Sequence, residues 1–403
     1  MCKFTEPSRE LNIYGSYDTV VVGGGFAGVA AALAAARGGN KVLLCERMFM
    51  LGGLGTAGLV TIYLPLCDGK GHQLSYGIAE ELLKVSIEKG YEKLYPKAWL
   101  EGGTIEERTK ERYKVRYNAA ACAILYEKLL LKEGVEILYG TTVCATAVEN
   151  GEITHLIIEN KGGRSAVQVG NVIDCSGDAD VCVQAGEDTV IYGEGNVLAS
   201  WYYFCDESGY NLKMLGYAAK PMALQTPEEL EKSRQVKRYT ALEGKELSDM
   251  VIDAHNYLFD NFLGEQNLGP NHMIATMASI PQVRMTRRIA GHYTMDVTDD
   301  HKHQADSVGM FGNWKGYGIG EAYELPYGAL YGKKIKNLAT AGRSLAATDT
   351  MWDVTRVIPV CSLSGEAVGT AATLAKNFGE VDITELQNTL RQNGVKLHLE
   401  EVL

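Results

Sequence analysis

The sequence predicts an α/β fold, with a doubly wound parallel sheet in the main domain and a second, mixed α+β domain. A β-branched run at 19–22 leads through a glycine-rich turn into an alanine-rich helix at 27–37, and a short strand follows at 41–45. Apolar runs that end in glycine turns return at 172–177 and 337–342, as expected for further strands of a buried parallel sheet. The length of 403 residues allows two domains, since single cores stop growing at about 250–300 residues.

The first turn carries the pattern Gly23-x-Gly25-x-x-Gly28, and Glu46 stands at the carboxyl end of the second strand. In this setting one glycine makes the tight turn, one lets the backbone approach a pyrophosphate, and one allows close packing of helix on strand. The helix N-terminus offers free N–H groups and a partial positive charge to the pyrophosphate. Glu46 lies 18 residues after Gly28, close to the spacing of about 20 at which a carboxylate accepts hydrogen bonds from the ribose. The pattern therefore predicts a dinucleotide site.

The segment after Glu46 bears on which dinucleotide is bound. An acidic residue at that position disfavours a 2′-phosphate, so NADP is the least favoured, despite Arg47. A second glycine-rich segment at 51–58 would let backbone N–H groups press against a flat or phosphorylated group. A flexible surface loop is the alternative interpretation of this segment.

The segment from Glu46-Arg47 through Leu51-Gly52-Gly53 to Thr56 resembles the amino-terminal part of the FAD-dependent oxidoreductase family, which is similar to the glutathione-reductase type of flavoprotein. The resemblance implies FAD as the cofactor. We take it to be bound non-covalently, and covalent attachment at Cys45, Cys67 or His72 is the alternative. Residues 173–180 resemble the family's IDATGDGD segment, with Cys and Ser where Ala and Thr are usual, and that segment passes close to the FAD. Residues 337–343 resemble NLLVAGR, which brings the backbone against the flavin ribityl chain and pyrophosphate.

Three β-like runs at 136–149, 153–160 and 164–174 are joined by tight-turn sequences and predict a three-stranded β-meander inserted in the FAD-binding domain. We assign 15–60, 115–195 and 329–380 to the FAD-binding domain, 61–114 and 196–328 to a substrate or cap domain, and 381–403 to a C-terminal tail.

Residues 281–291 resemble the family's P-x-x-R-E-T-R-R-I-x-G segment, with Met285 in place of the acidic residue. Arginine offers fixed bidentate donors, so this segment suits an anionic substrate or the charge of the flavin, and a solvated face is the alternative.

A helix predicted at 362–376 resembles the one whose N-terminus points at the flavin N1–C2=O edge, where reduced flavin is negative. An ordinary core helix is the alternative. Arg356, shortly before this helix, is the first candidate for holding substrate or stabilising an oxyanion.

The motif matches assign FAD to Gly23, Gly25, Gly28, Glu46, Arg47, Gly52, Gly53, Thr56, Val143, Gly177, Gly342 and Arg343. The candidates for catalysis are Arg356, Arg287, Tyr327 and, as a proton relay, His303. The general base is not identified, because Asp349 stands where the family usually has histidine.

The composition excludes several classes of function. A net charge of −11 without a basic stripe argues against nucleic acid. Neither a membrane span nor a secretory signal is predicted, since no apolar run approaches the required length. Nine scattered cysteines without a C-x-x-C pair fit reduced thiols in the cytoplasm. No metal is predicted, because the His-x-His pattern at 301–303 has no assignable third and fourth ligands.

The sequence thus predicts an FAD-dependent oxidoreductase that transfers a hydride between flavin N5 and a small polar organic substrate. A second dinucleotide glycine motif is absent from the sequence, so electrons would come from the substrate, from an electron-transfer partner or through a shallow contact with an external donor or acceptor. Two alternatives stay open. An NAD-dependent dehydrogenase would use the same first strand–helix–strand unit but would leave 51–58, 173–180 and 341–343 without a role. A non-catalytic FAD-binding scaffold is the other, and the oligomeric state is not predicted.

Overall fold

The computed structural model of the chain describes residues 4–216, 225–263, 271–316 and 318–403. Its strands are β1 (Ile13–Val22), β2 (Val42–Cys45), β3 (Ile62–Tyr63), β4 (Val115–Arg116), β5 (Glu136–Leu138), β6 (Thr142–Glu149), β7 (Glu152–Asn160), β8 (Gly163–Asp174), β9 (Thr189–Ile191), β10 (Asn196–Val197), β11 (Ala199–Asp206), β12 (Gly209–Gly216), β13 (Arg238–Tyr239), β14 (Met273–Met277), β15 (Arg287–Ile289), β16 (Ser307–Gly312), β17 (Ala322–Pro326) and β18 (Leu338–Thr340). Its α-helices are α1 (Phe26–Arg37), α2 (Ile78–Ser86), α3 (Lys97–Leu100), α4 (Ile105–Lys110), α5 (Ala119–Lys132), α6 (Asp180–Ala185), α7 (Pro227–Arg234), α8 (Gly244–Leu258), α9 (Asp349–Thr355), α10 (Ile358–Leu374) and α11 (Ile383–Gln392).

Seven strands form one sheet in the order β5-β2-β1-β8-β7-β6, with β18 also paired to β8. β1 is parallel to β2, with Val22 beside Cys45, and parallel to β8, with Val22 beside Asp174. β18 is parallel to β8 and places Thr340 beside Asp174. The carboxyl ends of β1, β2, β8 and β18 therefore meet at one edge of the sheet, which confirms the predicted parallel core.

The predicted run at 136–149 differs in the structure, because it divides into two strands. β5 pairs in parallel with β2, while β6 pairs antiparallel with β7, which in turn pairs antiparallel with β8. The break falls at Gly140, whose φ of 57° turns the chain out of an extended conformation. β8 takes part in both the antiparallel and the parallel pairing, because β7 pairs antiparallel with its first half and β18 pairs parallel with its last three residues.

Helix α10 is packed closely on α1, and this contact sets its position. A Cβ added at Gly365 would lie 2.2 Å from the Ala27 carbonyl oxygen, and one at Gly369 would lie 2.3 Å from the Ala31 carbonyl oxygen. Only glycine lets the two helix backbones approach this far. The helix begins at Ile358, four residues earlier than predicted, with Pro359 in its first turn. Proline is favoured there because the first N–H groups of a helix have no intrahelical partner.

The segment predicted as a C-terminal tail is folded into the main core. It forms α11, and Leu386, Leu390 and Leu397 are at most 1% exposed and pack in the same hydrophobic cluster as β1 and α10. The leucines at 386 and 390 lie on one helix face, because residues four apart are neighbours on a helix. Residues 196–216, 225–263 and 271–277 contain the sheet β12-β11-β14 and α8, with a smaller apolar cluster of their own.

Within the described residues, no single helix is long and apolar enough to cross a membrane. Helices α9 and α10 have the length and composition of a membrane span when they are taken together, but the chain bends by 88° between them.

Candidate functional site

Two adjoining cavities lie at the carboxyl edge of the parallel strands. The α10 cavity borders the start of α10 from Arg356 to Cys361, and the β2 cavity borders the end of β2 from Cys45 to Met48. Six residues line both of them: Gly25, Leu54, Cys175, Gly177, Val283 and Arg343. The two cavities are therefore halves of one elongated cleft.

The first glycine turn forms the floor of this cleft. Gly23 has φ 101°, and a Cβ there would lie 2.4 Å from the Cys175 carbonyl oxygen; a Cβ on Gly28 would lie 1.8 Å from the Gly23 carbonyl oxygen. These two glycines allow the turn and the close contact of α1 with it. Gly25 differs, because a Cβ there would meet no atom within 4 Å and would enter the cleft.

The second glycine segment is an ordered wall of the cleft, and the surface-loop alternative is wrong. The Gly52 N–H donates to the Gly24 carbonyl oxygen at 2.8 Å, and Gly52 and Gly53 both have positive φ. Gly52 lines the α10 cavity and Gly53 lines the β2 cavity. Thr56 is buried within the segment, where its hydroxyl donates to the Leu51 carbonyl oxygen. Its position points to a role in holding the loop.

The Glu46 carboxylate is buried beside the first turn. It accepts hydrogen bonds from the Gly24 N–H at 2.6 Å and from the Met48 N–H at 2.7 Å. Burial raises the pKa of Glu46, and these N–H donors offset part of that rise. Glu46 and the exposed Arg47 line the β2 cavity, as does Val143, whose carbonyl oxygen accepts from the Gln184 amide.

Two aspartates after β8 pair with two arginines, of which Arg343 lines the cleft and Arg287 does not. Arg343 donates to Asp178 at 2.7 Å, and Arg287 donates to Asp180 at 2.6 Å and to the Asp178 carbonyl oxygen at 3.0 Å. Burial alone would raise the pKa of Asp178, but the charge of Arg343 and the hydrogen bond from Thr286 outweigh it, and the pKa is lowered. Burial and the neighbouring Asp178 raise the pKa of Asp180 to about 6. Arg287, predicted to hold substrate, is thus engaged in positioning this acidic segment.

Arg356 lies at the start of α10 and lines the α10 cavity. Its Nε and Nη2 both donate to one oxygen of the buried Asp353, at 3.0 and 2.5 Å, and Lys315 pairs with the other oxygen. These two hydrogen bonds to the Asp353 carboxylate fix the Arg356 guanidinium at the cavity wall. The α10 N-terminus beside it adds a partial positive charge. Gly342 lines the same cavity, and its N–H donates to Ser364 of α10 at 2.9 Å.

Arg284 also lines the α10 cavity, and the sequence did not single it out. The signal was present, since Arg284 belongs to the arginine-rich segment at 281–291. The sequence does not show whether an arginine has an ion partner, because that depends on which side chains the fold brings together.

The sequence model of the family described as "FAD dependent oxidoreductase" matches residues 18–198 and 205–390. The chain belongs to this family. Thioredoxin reductase of Ureaplasma parvum serovar 3 is 30% identical to it over 149 residues, which cover 36% of this chain and 40% of that protein. FAD is therefore the cofactor.

Two solved structures are similar over most of the chain. A geranylgeranyl bacteriochlorophyll reductase-like protein of Thermoplasma acidophilum is 14% identical, with a TM-score of 0.45 over 94% of this chain and 83% of the other. p-Nitrophenol 4-monooxygenase of Pseudomonas putida is 13% identical, with a TM-score of 0.48 over 93% of this chain and 83% of the other. Nothing about the reaction follows from these distant likenesses.

The residues of the cleft fit FAD. Gly25 leaves open space that a Cβ would fill, and the buried Nε of Arg343, which lies between the two cavities, has no hydrogen-bond partner in the described part of the chain. Of the residues assigned to FAD, the structure brings ten to the cavity walls: Gly23, Gly25, Glu46, Arg47, Gly52, Gly53, Val143, Gly177, Gly342 and Arg343. Gly28 and Thr56 support the turns behind them.

Tyr327, a candidate for catalysis, lies in the core. It is 1% exposed, and its hydroxyl donates to the Phe378 carbonyl oxygen at 2.9 Å. Burial raises the pKa of this hydroxyl well above its ordinary value. A phenol that is buried, protonated and hydrogen-bonded within the core does not reach a substrate in the cleft. The prediction that Tyr327 takes part in catalysis is therefore corrected.

His303, the predicted proton relay, lies at another place in the fold. Its Nδ1 is 3.7 Å from the Glu324 carboxylate, and its ring stacks on His398 with 4.5 Å between ring centres. The possible ligand atoms of these three residues lie within 4.8 Å of one another. The Glu324 carboxylate already accepts from His398 and from backbone N–H groups. The segment at 301–303 follows a 3₁₀ turn and is not a strand, which removes the basis for two imidazoles on one face.

Proposed function

We propose that the protein transfers a hydride between flavin N5 and a small polar organic substrate, which binds in the α10 cavity. The observation that supports this proposal is the single cleft, because the glycine segments of β1, β2, β8 and β18 all line it and α10 begins at its end. Bound FAD would supply the hydride chemistry, while the chain supplies position, charge and exclusion of water.

In this proposal the β2 cavity holds the adenosine and pyrophosphate, and the α10 cavity holds the flavin ring with the substrate. Gly23, Gly25 and Gly53 allow the backbone to approach the pyrophosphate, and Glu46 and Val143 border the adenosine. The N-terminus of α10 favours negative charge on the flavin, an effect worth about 0.3–1 kcal/mol at an exposed helix end and more when it is buried.

Residues 196–328 contribute a cap to the cleft. Ala241, Leu247 and Pro281 line the β2 cavity, and Gln282 and Val283 line the α10 cavity. These side chains are mostly apolar, so a cap closed over bound FAD would exclude water from the reacting atoms. Exclusion of water strengthens the electrostatic contacts inside the site.

The other electron donor or acceptor is a substrate or a partner that binds at the surface. This part of the proposal depends on the sequence, which has one dinucleotide glycine motif and no C-x-x-C pair. We propose a cytoplasmic location because of the scattered cysteines.

The first test is the visible absorption spectrum of the purified protein before and after denaturation, followed by anaerobic reduction with candidate substrates. We expect a flavin spectrum that passes intact into solution on denaturation, and bleaching by a small-molecule substrate. A colourless protein that cannot be reconstituted with FAD but binds NADH would contradict the proposal in favour of an NAD-dependent dehydrogenase. Bound flavin that no small molecule or protein donor reduces would favour the scaffold.

A matched pair of variants tests the position of FAD. Gly25 has φ −67°, which any residue adopts, and open space around its missing side chain. We therefore expect Gly25→Val to fold with an unchanged unfolding midpoint but to lose FAD. Gly193→Ala is the control, since Gly193 is exposed and also has open space. Full occupancy of Gly25→Val with FAD would show that the cofactor does not use this cleft.

A further inference from the structure

Arg284 is held at the wall of the α10 cavity by its own backbone. The N–H groups of Arg284 and Met285 both donate to the Asn196 side chain, at 2.9 and 3.1 Å, and the Asn196 amide donates back to the Met285 carbonyl oxygen at 2.6 Å. Asn196 is buried, so this three-bond clamp is not exposed to water. The point from which the Arg284 side chain enters the cavity is therefore fixed.

The Arg284 guanidinium is partly buried and lacks an ion partner within the described parts of the chain. The two other arginines that line the α10 cavity are paired: Arg343 with Asp178 and Arg356 with Asp353. Burial, followed by the positive charge of Arg356, lowers the pKa of Arg284 to about 10, which leaves it protonated at neutral pH. A desolvated charge without a partner is unfavourable, so this group is suited to a ligand that brings the counter-charge.

The same end of the cavity has an excess of positive charge. Arg284 and Arg356 repel each other there, and the Asp353 carboxylate that also acts on Arg284 is already shared by Arg356 and Lys315. The N-terminus of α10 adds to this field. A neutral polar substrate would leave the excess uncompensated.

Other parts of the wall are apolar. Val60, Ile62, Leu64, Val357 and Ile358 line the α10 cavity, and its lining contains no carboxylate in the described part of the chain. A ligand that satisfies both surfaces has an anionic group at one end and an apolar body.

We infer that the substrate is an organic carboxylate, whose carboxylate binds Arg284 and Arg356 while its apolar body lies along the valine, isoleucine and leucine wall. This inference rests on the proposed function, because it places the substrate in the cavity that would hold the flavin ring. We favour a carboxylate over other anions for two reasons. The planar guanidinium group can donate to both carboxylate oxygens at once, and a single negative charge suits a largely apolar cavity.

The experiment compares matched charged and neutral probes on the FAD-bound protein. Benzoate and benzamide, and propionate and propionamide, are titrated by flavin absorption and by calorimetry, with inorganic phosphate as a further anion. We expect each carboxylate to bind about 10- to 100-fold more tightly than its amide, as a charged hydrogen-bonded pair predicts. Arg284→Met should remove most of this preference, with the remainder due to Arg356, and leave the affinity for benzamide unchanged. Arg284→Lys should retain part of it, because the charge stays and the fork is lost.

Arg391→Met is the control, since Arg391 lies at the surface in a pair with Glu401 and should leave every affinity unchanged. Equal binding of benzoate and benzamide by the wild-type protein would overturn the inference even if Arg284→Met failed to fold. It would also be overturned if Arg284→Met changed the flavin midpoint potential but kept the benzoate preference, because Arg284 would then face the flavin. Phosphate that binds more tightly than the carboxylates, and depends on Arg284, would refute the choice of a carboxylate.

Failure of the inference and failure of the proposed function give different results. A protein that takes up no FAD contradicts the proposed function. A flavoprotein that is reduced by a small molecule but does not distinguish carboxylates from amides contradicts only the inference.

Discussion

Glu366 carries a pH-dependent effect on stability that can be measured without knowing the substrate. It lies on α10, is 1% exposed, and accepts a hydrogen bond at 2.8 Å from the Ile78 N–H at the start of α2. Burial raises the pKa of Glu366 to about 8, and the nearby Glu81 adds to the rise. The carboxyl group is thus mostly protonated in the folded protein at neutral pH. In the unfolded chain it is ionised, with a pKa of about 4.3.

The direction of the effect follows from proton binding. Because the folded pKa lies above the unfolded one, the folded state binds more protons between these two values, and stability falls as pH rises through this window. The loss is nearly absent at pH 4, reaches about 4 kcal/mol at pH 7, and levels off near 5 kcal/mol, roughly, above pH 8. In Glu366→Gln the amide oxygen can accept the same N–H hydrogen bond and does not ionise. We expect this variant to match the wild type at pH 4 and to be more stable at pH 8.

The assay is urea denaturation of both proteins at several pH values from 4 to 9. The expected result is a free-energy difference that grows with pH and then becomes constant. Glu10→Gln, at an exposed position, is the control and should give no such growth. A difference that does not change with pH would refute the reasoning, as would a wild type that is the more stable protein at pH 8.

Two further predictions concern polar groups beside the cleft and in the core. Asp353→Asn leaves Lys315 and Arg356 without their shared carboxylate, and we expect denaturation to show a loss of about 3–5 kcal/mol; an unchanged stability would contradict the importance of this cluster. Tyr327→Phe removes the hydrogen bond to the Phe378 carbonyl oxygen, so we expect a loss of about 1–3 kcal/mol in stability and an unchanged rate of flavin reduction. A slower reduction with unchanged stability would restore Tyr327 as a catalytic candidate.

The dinucleotide half of the cleft could be predicted from the sequence because its signals are local. Gly23 needs a positive φ and Gly28 allows the close contact of α1 with the turn, both within a few residues, and the carboxyl ends of adjacent parallel strands share an edge. Gly177 and Gly342, which are separated by more than 160 residues of sequence, were assigned to FAD by the resemblance of their segments to those of the family.

The substrate half could not be predicted in the same way, because it depends on which side chains are buried and paired. Tyr327 and His303 were chosen by residue type, but one is committed to a carbonyl oxygen in the core and the other stacks on His398 from the C-terminal segment. Arg284 stands among similar arginines, and only the distances to Asp178, Asp180 and Asp353 separate it from them. The folding of the C-terminal segment could have been inferred, since Leu386 and Leu390 have helical spacing.

The ionisable groups at the α10 cavity indicate what the chain contributes to a reaction there. In the described part of the chain these groups are three arginines, Arg284, Arg343 and Arg356, and two thiols, Cys175 and Cys361. Burial raises the pKa of the Cys361 thiol to about 12, and it raises that of Cys175 as well. At neutral pH these side chains are therefore cations and protonated thiols. Such a lining would stabilise negative charge on a bound anion or on reduced flavin. The carboxylates of this region, Asp178 and Asp353, each hold an arginine in place, and the acidic chain thereby builds a basic cavity at the point where charge must be stabilised.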